Sequence, residues 1–250
     1  MNRQSIYHDE SYVHKYEADR FGGLFGRYLH YVEVNTFISL MDSSYDSVLD
    51  VGAGTGKLSI PSSLQYENVL AVDFSTEMIK VAIENAKKRE IGLKTVVCDA
   101  QQLCFHNKTF DCVVSSRMLM HLPDWRKGIA ELCRVSKKVV ILDFPQLLGF
   151  SGFDSLFKRF TKHLISHNQT YETFLVNSIT EEFQRNHFKV VLIKGQFFLP
   201  FTFHRWLNQP RLSVIIEKFF DTIGFIKLMG SPVIVKAIRI GYFSTDFDSF

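Results

Sequence analysis

Cysteine is scarce in this chain, and long uncharged runs are missing. Cys98, Cys104, Cys112 and Cys133 form no C-x-x-C pair and have no histidine at ligand spacing, so neither a zinc site nor a disulfide framework is indicated and no metal is expected. Reduced thiols in the cytoplasm account for them. No stretch long enough to span a bilayer is free of charges, and Met1 to Ser5 opens a polar segment instead of a signal peptide, which again points to the cytoplasm. A strong charge of one sign is lacking too. The 29 Lys and Arg against 26 Asp and Glu leave a net charge of +3, and the basic residues are scattered, which argues against a nucleic-acid partner. No internal repeat or low-complexity segment is visible. What remains is a chain of 250 residues, long enough to bury a substantial core, read as one domain over 1–250.

One more absence shapes the most informative stretch. Val48-Leu49-Asp50-Val51-Gly52-Ala53-Gly54-Thr55-Gly56-Lys57-Leu58 carries a short apolar strand into a three-glycine turn and a helix. A second apolar strand, Val69-Leu70-Ala71-Val72, then delivers Asp73 near where a ribose diol would lie. The glycines follow G-x-G-x-G, whereas a dinucleotide fingerprint requires G-x-G-x-x-G, and Lys57 stands where its last glycine would be. A bulky side chain there opposes close helix–strand packing around a pyrophosphate, while the three glycines still let the backbone approach a ligand closely. A nucleoside without phosphates fits that description.

These residues resemble the first motif of the class I S-adenosylmethionine-dependent methyltransferases of the small-molecule type, and the resemblance extends from Asp46 to Phe144. It implies a Rossmann-like α/β fold, a doubly wound sheet of seven strands with the last one antiparallel, and S-adenosyl-L-methionine as cofactor. It implies that Asp50 and the loop Gly52, Ala53, Gly54 and Gly56 face the methionine portion, and that Asp73 accepts from both ribose hydroxyls. Phe74 and Met78 match positions flanking the adenine. Cys98-Asp99-Ala100 matches the third motif, with Asp99 accepting from the adenine amino group and the Ala100 amide meeting the ring. Ser115, Ser116 and Arg117, after the strand Phe110 to Ser115, lie where the methyl-transfer site opens. His121-Leu122-Pro123-Asp124-Trp125 resembles the turn that follows. Met78 also fits as core on a helix whose apolar face is Met78, Ile79, Ala82, Ile83 and Ala86, and Asp99 as a turn residue.

The pattern along the chain places strands near 47–51, 69–72, 94–98, 110–115 and 138–144, with helices near 28–41, 57–64, 75–90 and 124–135. That alternation predicts a parallel sheet. Asp124 is the expected N-cap of its helix. Further strands are expected at 188–198 and 232–242, with a helix near 212–223. The chain divides into an N-terminal lid and helix (1–45), a cofactor-binding core (46–144), a substrate-side insertion with the sixth strand (145–205), and a C-terminal helix with the last strand (206–250).

Between strands five and six, Phe153, Leu156, Phe157, Phe160 and Leu164 recur at helical spacing opposite Lys158, Arg159, Lys162 and His163, which predicts an amphipathic helical lid insertion. A transient contact with a membrane surface is the alternative use of that segment. Phe197, Phe198, Phe201 and Phe203 make the half expected to shape the acceptor pocket rich in aromatic surface and favour a small apolar or aromatic acceptor. In the N-terminal segment, Tyr12 and Tyr16 share a helical face and Arg20 precedes a Gly-Gly pair, and the resemblance implies that such a segment closes over the cofactor; a helix packed on the sheet edge is the other possibility.

The reaction implied is in-line displacement of a methyl group toward a small acceptor, which needs alignment more than catalytic machinery. His121 is the candidate general base, and an anchor for the turn before Asp124 is its other role. Arg117 would orient an anionic group of the acceptor or pair with an acidic residue beneath the loop. Lipid or quinone methylation at a membrane surface, a catalytically silent scaffold with this fold, and a nicotinamide enzyme are the competing functions, the last opposed by Lys57 and Asp99. The oligomeric state stays open.

Overall fold

The computed structural model describes Val13, residues 22–147 and 172–199, Phe203, His204, Leu207 and residues 209–241. Tyr16, Arg20, Phe201 and the amphipathic segment 153–165 lie outside the described residues.

In chain order the elements are α1 (Gly23–Leu40), β1 (Ser47–Val51), the short α2 (Ser59–Ser62), β2 (Asn68–Asp73), α3 (Thr76–Lys87), β3 (Lys94–Val97), β4 (Phe110–Ser115), α4 (Trp125–Val135), β5 (Ser136–Phe144), α5 (Val176–Arg185), β6 (Phe188–Gly195), α6 (Pro210–Thr222), α7 (Phe225–Met229) and β7 (Val233–Arg239). The strands form one sheet in the order β3-β2-β1-β4-β5-β7-β6. β1 to β5 run parallel, and β7 inserts antiparallel between β5 and β6. The sheet is therefore the doubly wound, seven-stranded, Rossmann-like α/β arrangement with an antiparallel last strand.

The central strands are apolar on both faces because both are covered. Leu49, Val51, Val113, Val140 and Leu142 point into a core shared with Trp125, Ile129 and Leu132 of α4 and Ile179 and Phe183 of α5. Their neighbours Val48, Cys112, Val114, Val139 and Ile141 point the other way, against Val34 and Phe37 of α1. Alternate side chains of a strand serve opposite faces, so a one-residue slip would exchange the two cores, and that fixes the register. Each fully buried Leu, Ile or Phe here is worth about 1.5–3 kcal/mol relative to exposure.

Several elements differ from expectation for local reasons. The helix expected at 57–64 contracts to Ser59–Ser62, because the backbone of Gly52, Gly54 and Gly56 is held at φ +74°, +54° and +84° and the turn continues past Gly56. On α3 the buried face includes Val81 and not Ile83, which is 45% exposed. At 100° per residue Ile83 lies one step beyond the arc that Val81, Met78, Ala82 and Ala86 share. β6 ends at Gly195, three residues early, since Phe197 and Phe198 turn away to pack elsewhere. α5 was not anticipated. Its Ile179 and Phe183, one helical turn apart, close the core over β5 and β6.

The C-terminal ends of β1 to β5 share one edge of the sheet. β6, antiparallel to β7, ends at that same edge. The glycine loop, Asp73, the segment after β4, Asp143 and the segment after Gly195 all emerge there. In open α/β sheets this edge is where ligands bind.

Candidate active site

β1 and β2 continue their pairing into the loop. The N–H groups of Gly52 and Ala53 both donate to the Val72 carbonyl, at 2.8 and 2.9 Å. The Asp73 carboxylate then organises both sides of the crevice: Oδ2 accepts from the Gly54 N–H at 2.8 Å and Oδ1 from the Ser75 N–H at 2.9 Å. Ser75 in turn caps α3, its hydroxyl accepting from the Met78 N–H at 3.1 Å. Each carboxylate oxygen can accept more than one hydrogen bond, so Asp73 can take a diol while it holds the loop.

Gly52 and Gly54 lack a side chain to different effect. A Cβ on Gly52 would stand 2.6 Å from Met118 Cγ, whereas one on Gly54 would meet nothing within 4 Å and project into open space. Gly54 is thus a gap in the wall of a cavity lined by Gly52, Gly54, Asp73, Phe74, Met78, Cys98, Asp99, Ala100, Ser116, Arg117, Met118, His121 and Leu122. Most of the expected positions converge on it. Asp50, Ala53, Gly56 and Ser115 lie outside that lining.

Their placement has physical reasons. Asp50 is 1% exposed, and burial pushes its carboxyl up to about 7 although Ser59 beside it pulls the other way. The Ser115 hydroxyl donates to the Val51 carbonyl at 2.8 Å, pinning β4 to β1, so Ser116 takes its place on the wall. Asp99 forms the Asx turn, its Oδ1 accepting from the Gln101 N–H at 2.8 Å, and it also lines the cavity. Met78 likewise lines the cavity while packing on Val81, Phe74 and the buried Val13. Burial pushes the Cys98 thiol up to about 11, so the wall presents a thiol there near neutral pH.

Arg117 pairs with an acidic residue beneath the loop, and that residue was not anticipated. Glu33 of α1, 1% exposed, forms ion pairs with Arg117 and with Lys57. Lys57, the residue that replaces the third glycine, is therefore held by α1 behind the loop. Arg117 has φ +56°, a left-handed conformation that is costly for a residue with a Cβ, and its N–H donates to Asp143 Oδ1 at the end of β5. Glu33 and Asp143 thus hold Arg117 from two sides. A signal for Glu33 existed: it falls one turn after Leu29 and one turn before Phe37, a carboxylate inside a buried apolar stripe. His121 closes a single turn of 3-10 helix, Leu119–His121, ahead of Asp124, whose carboxylate caps α4 through the N–H groups of Arg126 and Lys127.

Two of the phenylalanines expected to shape the acceptor pocket, Phe197 and Phe198, pack elsewhere. Phe197 is buried against Leu29, and Phe198 stacks on Phe220 and Phe225 with ring centroids 4.2 and 5.3 Å apart. The described cavity takes its apolar surface from Phe74, Met78, Met118 and Leu122 instead.

A family model for a methyltransferase domain matches residues 48–139, the stretch that builds this edge. The chain is 38% identical over 100 residues to a demethylmenaquinone methyltransferase of Renibacterium salmoninarum, covering 39% of this chain and 40% of that protein. It is 39% identical over 95 residues to a phosphatidylethanolamine N-methyltransferase of Cereibacter sphaeroides, covering 36% and 45%. The chain thus matches less than half the length of either relative. In fold it is similar to magnesium protoporphyrin IX methyltransferase of Synechocystis PCC 6803 with bound SAH, at a TM-score of 0.60 and 17% identity over 86% of this chain and 84% of that one. Motif, strand order and relatives converge: over residues 48–139 the chain is similar to the class I S-adenosylmethionine-dependent methyltransferases.

Proposed function

We propose that this chain transfers a methyl group from S-adenosylmethionine to a small apolar or aromatic acceptor. The observation that carries the reading is the pairing of Gly54 with Asp73: a bare backbone position facing open space, hydrogen-bonded to a carboxylate that can grip a diol. In that reading Asp73 holds the ribose, Phe74 and Met78 flank the adenine, and Asp99 with the Ala100 amide reads its edge. Lys57 is occupied by Glu33 behind the loop, in keeping with a ligand that brings no pyrophosphate. S-adenosylmethionine, when bound, supplies an electrophilic methyl carbon and a thioether leaving group. The protein's part is alignment and exclusion of water, with Arg117 and His121 lining the same cavity. His121 would accept a proton from an acceptor that carries one.

A second reading is favoured by the relatives. One is named for a menaquinone precursor and the other for a phospholipid, and both acceptors are lipid-soluble. An apolar acceptor presented at a membrane surface unites the two readings. No described helix is long and apolar enough to cross a membrane, so such contact would be peripheral. The four cysteines are free thiols, in keeping with our placement of the protein in the cytoplasm.

Calorimetric titration with S-adenosylhomocysteine tests the cofactor half of this reading. Losing two charge-assisted hydrogen bonds to the diol is expected to cost Asp73→Ala at least about a hundredfold in affinity. Equal binding by the variant, or tighter binding of NADH, would refute it. For the acceptor half, labelled methyl transfer to a panel of quinols and amino-lipids separates an enzyme from a silent scaffold, and a pH profile unchanged in His121→Ala would remove that side chain as base.

A further inference from the structure

α6 is inside out. Its buried positions are Ser213 and Glu217, whereas Leu212, Ile215 and Phe219 are 43%, 63% and 59% exposed, and Ile223 just beyond is 48% exposed. These four recur at helical spacing and form one solvent-facing apolar stripe. The buried polar side has a clear cause. The Glu217 carboxylate accepts from the Phe198 N–H at 2.8 Å and the Leu199 N–H at 3.1 Å, and it meets His204 Nε2 at 2.7 Å. The segment leaving β6 thus takes the polar face of α6 for its own backbone, which turns the apolar face outward. Phe225 of α7, 42% exposed, extends the patch.

The surroundings of the stripe select an occupant. Arg211 and Lys218 are exposed along one flank of it and Lys227 stands beyond its end; of the two acidic residues of α6, Glu217 is buried and Asp221 is exposed on the side away from the stripe. An apolar stripe bordered by basic side chains suits a helix lying in the headgroup region of an anionic bilayer. Position agrees. α6 follows the segment that leaves β6 at the same sheet edge as the cavity.

We propose that the Leu212, Ile215, Phe219 and Ile223 stripe seats α6 flat on an anionic lipid surface, holding the cavity edge of the sheet beside the bilayer from which an apolar acceptor would be drawn. The proposal rests on the membrane-surface reading of function given above. Its occupant is lipid; a second copy of the chain is the rival.

Flotation of the full chain with vesicles of phosphatidylcholine, alone or mixed with phosphatidylglycerol, tests it. The wild type is expected to partition onto the mixed vesicles and far less onto phosphatidylcholine. Ile215→Glu with Phe219→Glu should lower partitioning by at least about tenfold, since both side chains lose their apolar burial in the bilayer. Arg211→Gln with Lys218→Gln should lower it about fivefold per side chain on mixed vesicles only. All variants should bind S-adenosylhomocysteine as the wild type does, which reports an intact fold. Failure of the wild type to bind mixed vesicles, or unchanged binding by the double glutamate variant, overturns the proposal. So does a wild-type dimer in light scattering that the glutamates split while leaving vesicle binding unaltered. Vesicle binding that depends on the stripe, without methylation of any vesicle-dissolved acceptor, supports the surface and counts only against the reading of function on which it rests.

Discussion

α3 buries Met78, Ile79, Val81, Ala82 and Ala86 and turns Lys80, Glu84 and Lys87 toward solvent, whereas α6 buries Ser213 and Glu217 and turns Leu212, Ile215 and Phe219 outward. Both are amphipathic, and they face opposite ways. α3 packs on the sheet, where β2 and β3 offer apolar side chains whose backbone bonds are already satisfied. α6 packs on an irregular segment whose N–H groups need acceptors, and Glu217 supplies them. Which face a helix buries is decided by what it lands on: leaving those N–H groups unpaired costs about as much as exposing a large apolar side chain. The cofactor half of the molecule follows the apolar pattern, and the half after β5 is governed by polar demand.

The largest expected effect belongs to Glu33, a buried carboxylate of the cofactor half that, like Glu217, gathers partners from distant parts of the chain. Glu33 serves Lys57 and Arg117 as Glu217 serves the 198–204 segment. Glu33→Ala leaves two cations with their shared counter-charge removed, and about 3–5 kcal/mol of stability should be lost, read by urea unfolding. Glu33→Gln keeps the shape and should retain the fold better, yet it frees Arg117 from its ion pair. Its signature is a weakened affinity for S-adenosylhomocysteine or an altered KM with the unfolding midpoint changed less than in the Ala variant. A variant as stable as wild type would mean that the pair is screened and that the two glutamates are not comparable.

Next comes Ile79 on α3, which is 5% exposed. Ile79→Ala removes buried methyls from a closely packed site, and about 2–4 kcal/mol should be lost in the same measurement.

These contrasts also explain what the sequence made legible. The strands β1, β2 and β4 stood out because a sheet covered on both faces requires continuous apolar runs, and Asp73 stood out because it ends the second such run after a glycine-rich turn, where a ribose diol would lie. The Glu33 cluster was hidden, since its partners Lys57 and Arg117 lie far along the chain and come together only once α1 crosses the loop. The two faces of α6 were equally hidden. Its spacing predicted the helix, but nothing local indicates that Glu217 would be claimed by Phe198 and Leu199. Aromatic content after β5 suggested a pocket lining, yet Phe197 and Phe198 were spent on packing against α1 and α7, a choice made by the turn after Gly195.

Asp50 sharpens the comparison through pH. Burial lifts its carboxyl from the ordinary 3.8 to about 7. An acid raised in the folded state binds its proton more tightly there than in the unfolded chain. Its contribution to stability is therefore fullest at low pH and declines as pH rises from about 4 to 7, where the unfolded chain has already ionised. Asp50→Asn removes the titration, so thermal melts should show a stability difference between wild type and variant that changes by on the order of 1–3 kcal/mol across that window. Parallel melting curves at all pH values would place Asp50 among ordinary solvated carboxylates.

The smallest expected effect is the mirror of Ile79. Ile215 is also an isoleucine on an amphipathic helix, but at 63% exposure it has little packing to lose. Alanine has the better helix propensity by a few tenths of a kcal/mol, and that gain opposes the small area no longer covered. Ile215→Ala should therefore change stability by less than about 0.5 kcal/mol in either direction. The same substitution should weaken partitioning onto anionic vesicles, which Ile79→Ala should leave alone as long as the chain stays folded. A loss of stability approaching that of Ile79→Ala would show that Ile215 is covered within the chain itself, and the outward face of α6 would then belong to the protein's own core and not to a lipid surface.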